Sequence, residues 1–141
     1  MIMNVEPDKI HVMFLTTNDE IAIDTGPREE AFQHFKKVCG ISMVEMVRLG
    51  HQDAYMLMDE EARLHANPLP VNKFATSLIN TYCLADGCPS GYLIHGPAMV
   101  VGASNDGEID MDCPRVICGK AILIMKVFGL EEDEIEHLVD Y

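Results

Sequence analysis

Residues 57–79 read LMDEEARLHANPLPVNKFATSLI, and residues 93–102 read LIHGPAMVVG. The first stretch opens on the end of an apolar run, AYMLMD from Ala54, and delivers the acidic pair Asp59-Glu60. A breaker step follows at Asn67-Pro68-Leu69-Pro70, and from Val71 to Tyr82 the residues Phe74, Ala75, Leu78 and Ile79 repeat on one helical face, with Asn72 near the start. The second stretch reads as a strand from Leu93 to Ala103. Pro97 lacks the N–H that a ladder needs, so Gly96-Pro97 implies an edge position, a bulge, or a place where another chain or a ligand approaches the backbone. Strand, breaker, helix and strand in that order point to a mixed fold.

Outward from this centre the same signals recur. Residues 10–16, IHVMFLT, and IAID from Ile21 flank Thr17-Asn18-Asp19-Glu20, a turn composition between two apolar runs. Pro27 suits a first helical residue, Glu29 and Glu30 suit an opening turn, and Ala31, Phe32, Phe35, Val38 and Cys39 keep helical spacing until Gly40. A second hairpin is expected from SMVEMVRL and AYMLMD around Gly50-His51-Gln52-Asp53. PRVICGKAILIMKVFG from Pro114 fits a buried helix better than a strand, and Glu131 to Glu134 open a last helix with Ile135, Leu138 and Val139 as its stripe. The expected fold is α+β, a small, mainly antiparallel sheet with helices packed on it, in a single domain over residues 1–141. No repeat or low-complexity segment suggests a second one.

Charge narrows the function. Lys and Arg number 10 against 23 Asp and Glu, for a net charge of −13. Such a chain assembles phosphate-neutralising contacts poorly, so direct nucleic-acid binding is not expected. A basic or nucleic-acid-binding protein partner suits the field instead. The N-terminus lacks a basic stretch followed by an apolar one, and no apolar run approaches the roughly 18 residues of a membrane helix, so a cytoplasmic location and no membrane association are expected.

Three constellations could carry chemistry. Cys83 and Cys88 are separated by four residues, as are Cys113 and Cys118, all in turn-rich surroundings. Zinc takes tetrahedral thiolates, and two such turns could present four sulfurs to one structural ion; reduced, packed cysteines are the alternative. A helix through 113–118 would place the two sulfurs about 140° apart at about 100° per residue, which argues against a shared ion. The acidic segment from Ser104 to Asp112 resembles a calcium loop, but aligning Gly107 puts Gly102 and Cys113 where ligands belong, so a polar turn is expected. Of six histidines, His95 stands next to Gly96-Pro97 and could serve with Asp59 or Glu60 in acid–base work. Ten methionines and no tryptophan suit core filling more than a binding face.

The acidic strand end, the Leu-Pro-x-Asn step (Leu69-Pro70-Val71-Asn72) and the Gly-Pro strand resemble a domain-of-unknown-function family common in phage, mobile-element and gut-metagenome proteins (DUF family 3846). The resemblance covers about residues 10–104, with 105–141 as an acidic, helical extension. It implies strands near the N-terminus and assigns no chemistry. With the charge, it leads to an expected function as a non-enzymatic binding protein that engages a host protein, in one form an anti-defence inhibitor. The competing expectations are a small-molecule or nucleotide binder or enzyme with a pocket bordered by Asp59, Glu60, Asn72, His95, Gly96 and Pro97, and a zinc-stabilised structural module held by Cys83, Cys88, Cys113 and Cys118.

Overall fold

The computed structural model describes residues 8–18, 20–62, 69–87 and 91–127. Among these residues five strands form one sheet: β1 (Lys9–Leu15), β2 (Ile21–Pro27), β3 (Val44–Arg48), β4 (Ala54–Asp59) and β5 (Ala98–Gly102). The order is β2-β1-β5-β4-β3, and every neighbouring pair is antiparallel. Among the described residues three helices join them: α1 (Ala31–Cys39), α2 (Lys73–Ala85) and α3 (Arg115–Val127). The α+β expectation therefore holds.

Both faces of the three central strands, β1, β5 and β4, are buried, which explains why they read as unbroken apolar runs rather than alternating ones. Side chains alternate along each strand. Ile10, Val12, Phe14, Leu57, Met99 and Val101 pack with Ala31 and Phe35 of α1. Met13, Leu15, Met56, Met58, Ala98 and Val100 pack with Phe74, Leu78 and Ile79 of α2 and Ile117, Ala121 and Met125 of α3. Methionines thus fill the core at 13, 56, 58, 99 and 125, while Met43, Met46 and Met111 stay exposed.

Both hairpins form where the turn residues predict. Leu15 pairs with Ile21 across the first turn, and Arg48 with Tyr55 across the second. Three expectations are corrected. Pro27 belongs to β2 and pairs with Lys9, because the Arg28 N–H still donates to the Asp8 carbonyl (2.7 Å) and carries the pairing past the proline; α1 starts at Ala31. β2 is an edge strand, where a proline removes no ladder bond. Val38, assigned to the apolar face of α1, is exposed. Pro97 marks no edge, since β5 is the central strand and begins one residue after it. Arg115–Val127 is helix, as expected for 114–127, and the Glu131–Glu134 helix lies outside the described residues.

Gly40 closes α1 in the left-handed conformation (φ 67°), and the next N–H, of Ile41, returns to the Lys36 carbonyl at 3.0 Å. A Cβ there would meet no atom within 4 Å, so only backbone strain opposes a side chain. Gly40→Ala is expected to lose about 1 kcal/mol in chemical denaturation, with no change in the slope of the transition.

Candidate functional site

The segment 91–97 precedes β5 and does not join the sheet, although its sequence reads as strand. Side chains of α2 hold it instead. Asn72, Thr76 and Asn80 repeat at four-residue spacing and so share one helix face. The Asn72 amide donates to the Gly96 carbonyl at 2.9 Å, the Thr76 hydroxyl accepts the Ile94 N–H at 3.0 Å, and Asn80 accepts the N–H groups of Gly91 (3.0 Å) and Tyr92 (2.9 Å) while donating to the Tyr92 carbonyl (2.9 Å). A polar row on a helix thus does the work of a neighbouring strand. A periodic Asn-Thr-Asn row was legible in the sequence; its backbone partners were not.

Asn72 does more than line this row. It is fully buried, donates a second bond to the Leu15 carbonyl at 2.8 Å, and accepts the Ala75 N–H at 3.0 Å as the cap of α2. Both amide hydrogens and the carbonyl oxygen are engaged, so the residue has a structural role and offers nothing to a ligand. Gly96 adopts φ 79°, with its N–H donating to the Pro70 carbonyl at 2.9 Å, and a Cβ would press on Leu69.

The held segment forms one wall of a cleft of about 270 Å³. Met58, Asp59 and Glu60 at the end of β4, Glu45 on the edge strand β3, Ala62, and residues 91–95 line it. Of the six residues singled out as a pocket border, Asp59, Glu60 and His95 meet here, whereas Asn72, Gly96 and Pro97 do not line it. Sequence reasoning missed Glu45 and Tyr92. Glu45 arrives because it pairs with Met58, a register that hairpin turn geometry sets. Asp59 also has a local duty, accepting the Glu61 N–H at 2.9 Å as the chain leaves the sheet.

His95 bridges to Val71, and its Nδ1 lies 2.7 Å from the Leu69 carbonyl. A carbonyl only accepts, so in the neutral ring Nδ1 carries the proton and Nε2 the lone pair. Three carboxylates and an imidazole with a preset tautomer can accept hydrogen bonds, hold a cationic group, or take up a proton. No Ser, Thr, Cys or Lys occurs among the described lining residues.

The cysteines divide differently from the sequence expectation. Cys83 is buried in α2, Cys88 lies outside the described residues, and Cys113 and Cys118 touch, with their sulfurs 3.7 Å apart. The sulfurs are not parted by the expected angle of about 140°: α3 is a helix, but Cys113 precedes it, so the angle per residue does not apply. The hydrogen bond between them and burial raise the Cys113 thiol well above its ordinary value, and the same bond lowers that of Cys118. Among the described residues no group of three or more His, Cys, Asp and Glu gathers as a metal site. In the acidic segment, Asp106 accepts bonds from the Ser104 hydroxyl and the Glu108 N–H, which lower its pKa, and Gly107 turns at φ 86°. It is a self-bonded polar turn. No described helix is long and apolar enough to cross a membrane.

No protein family model matches the chain, and neither a curated protein nor a solved structure matches it.

Proposed function

We propose that this protein is a non-enzymatic binding protein that engages a basic host protein, and that the cleft beside β3 receives a lysine or arginine side chain of that partner. The observation that carries the reading is the gathering of Glu45, Asp59 and Glu60 with His95 around one cleft, in a chain of net charge −13. Complementary charge steers encounter and suppresses wrong partners, and the two oxygens of a carboxylate match the fork of a guanidinium. A host defence protein whose basic groove normally holds nucleic acid is the partner such a field suits, because carboxylates compete with phosphates for the same cations.

The test begins with capture of the partner from host lysate and continues with titration of the isolated partner at rising salt. Glu45→Lys with Glu60→Lys is the variant of choice, since both side chains are exposed and neither serves the turn that Asp59 holds. Affinity is expected to fall about 100-fold in the double variant, and to fall with salt in the parent. Unchanged affinity in the double variant, with its folding intact, would refute the cleft as the docking place.

A further inference from the structure

Cys113 and Cys118 are five residues apart in sequence, yet their sulfurs are in contact at 3.7 Å. Pro114 opens the first turn of α3, its carbonyl accepting the N–H groups of Ile117 (3.0 Å) and Cys118 (3.2 Å), and this turn brings Cys118 round to Cys113. Cys113 is tied to the sheet through its N–H, which donates to the His11 carbonyl at 2.9 Å. Both side chains are buried, 1% and 4% exposed. A disulfide spans about 2.05 Å, so less than about 2 Å of approach separates the pair from a bond. Beside them, Tyr82 of α2 is 8% exposed, and its hydroxyl has no hydrogen-bond partner among the described residues. Burial raises its pKa first, and the charge of both sulfurs raises it further, which places the hydroxyl in their neighbourhood. A buried donor without a partner is costly, and a bond to an anionic sulfur or a departing hydroxide would offset that cost.

We propose that Cys113 and Cys118 form a peroxide-reactive dithiol site that closes reversibly to a disulfide. Cys118, the less deeply buried sulfur, attacks one oxygen of the peroxide as its thiolate. An S–O bond forms as the O–O bond breaks, and the hydroxide released takes up a proton to leave as water. The Cys113 sulfur then attacks the Cys118 sulfenic sulfur. The S–S bond forms, the S–O bond breaks, and the second hydroxide leaves as water with the Cys113 proton. Two thiols lose two electrons and two protons, and one hydrogen peroxide becomes two waters. A small dithiol reductant reverses the change.

A separation of 3.7 Å also suits two thiolates on a tetrahedral zinc. Among the described residues no further His, Cys, Asp or Glu completes such a set, and Cys88 lies outside them.

Reduced protein, freed of reductant, is exposed to stoichiometric hydrogen peroxide, quenched with a maleimide and digested with trypsin. Cleavage after Arg115 leaves Cys118 on peptide 116–120 and Cys113 on peptide 74–115, which also carries Cys83 and Cys88, so the bond appears as a cross-linked pair that disappears on reduction, and fragmentation of that pair assigns the sulfur on the longer peptide. The expected result is a Cys113–Cys118 cross-link as the main product, with thiol loss from this pair about tenfold faster than from Cys39, whose pKa burial raises. In Cys113→Ser the oxidation stops at a Cys118 sulfenic acid, trapped by dimedone. Oxidation of Cys39 or Cys83 ahead of the pair overturns the proposal. So does one zinc per chain in protein purified without chelator, released in step with alkylation of Cys113 and Cys118. The mapping on unaltered protein decides the matter even if the serine variant does not fold.

Discussion

Asn72→Ala will lower the stability of the fold by about 3–5 kcal/mol, read as a drop in the midpoint of urea unfolding. The substitution strips partners from the Leu15 and Gly96 carbonyls and from the Ala75 N–H, all reached by one fully buried side chain. Leaving a buried polar group unsatisfied costs about 1–3 kcal/mol, and loss of a helix cap about 1 kcal/mol. Set against a total of about 5–15 kcal/mol for a domain, this is a large fraction. Asn72→Asp separates the contributions. It keeps the oxygen that caps α2, but turns a carboxyl group toward two carbonyls that need a donor; burial and those carbonyls raise its pKa, so it is expected to be at least as damaging as alanine where the carboxyl is ionised and milder where it is protonated. A loss below about 1 kcal/mol in Asn72→Ala would refute the role of this residue as the tie between α2, the end of β1 and the segment before β5.

Gly102→Ala is the second large effect, expected at about 3 kcal/mol in the same measurement. Gly102 ends β5 and exchanges backbone hydrogen bonds with Met111 (3.0 and 3.2 Å). A Cβ at this position would penetrate the backbone of Asp112 and press on the Met111 carbonyl. No flexible side chain is there to give way, so the added methyl must push the 111–112 chain off the sheet, at the upper end of the usual overpacking cost. That displacement has its own readout. The Asp112 carboxylate accepts the His11 N–H at 2.7 Å, and amide exchange at His11 is expected to quicken in the variant. Gly40→Ala serves as the comparison, because it adds backbone strain with no steric contact. Equal losses in the two variants would show that packing at Gly102 is unimportant.

Much of the architecture was readable from residue pattern, and the failures have common causes. The hairpins around 17–20 and 50–53 followed from apolar runs and turn residues that act over a few positions. The helix from 73 to 85 followed from Phe74, Ala75, Leu78 and Ile79 at helical spacing. Pro27 was misread because helix-start chemistry and edge-strand tolerance both admit proline, and pairing with Lys9 decided between them. Leu93–Pro97 was misread because an apolar run near a Gly-Pro pair reads as strand whether a strand or a row of helix side chains satisfies its backbone. The candidate cleft was half legible: Asp59, Glu60 and His95 stand near breakers, but Glu45 enters through hairpin register, and Tyr92 through its bonds to Asn80.

Local chemistry in the chain was therefore sufficient for the existence and kind of most of its described elements, though not for Pro27 or for Leu93–Pro97, because hydrophobic period, caps and turn residues act over one to four positions. It was also sufficient for the net charge of −13. Only the folded chain decided that β5 lies at the centre of the sheet, that Asn72 spends all its hydrogen bonds inside, and that Cys113 meets Cys118 around Pro114. These outcomes depend on contacts between segments far apart in sequence, such as Asn72 with Leu15, and on where a helix begins relative to a single residue. Stretches such as LIHGPAMVVG mark where chain and sheet meet. Their role was assigned by the backbone groups that came to face them.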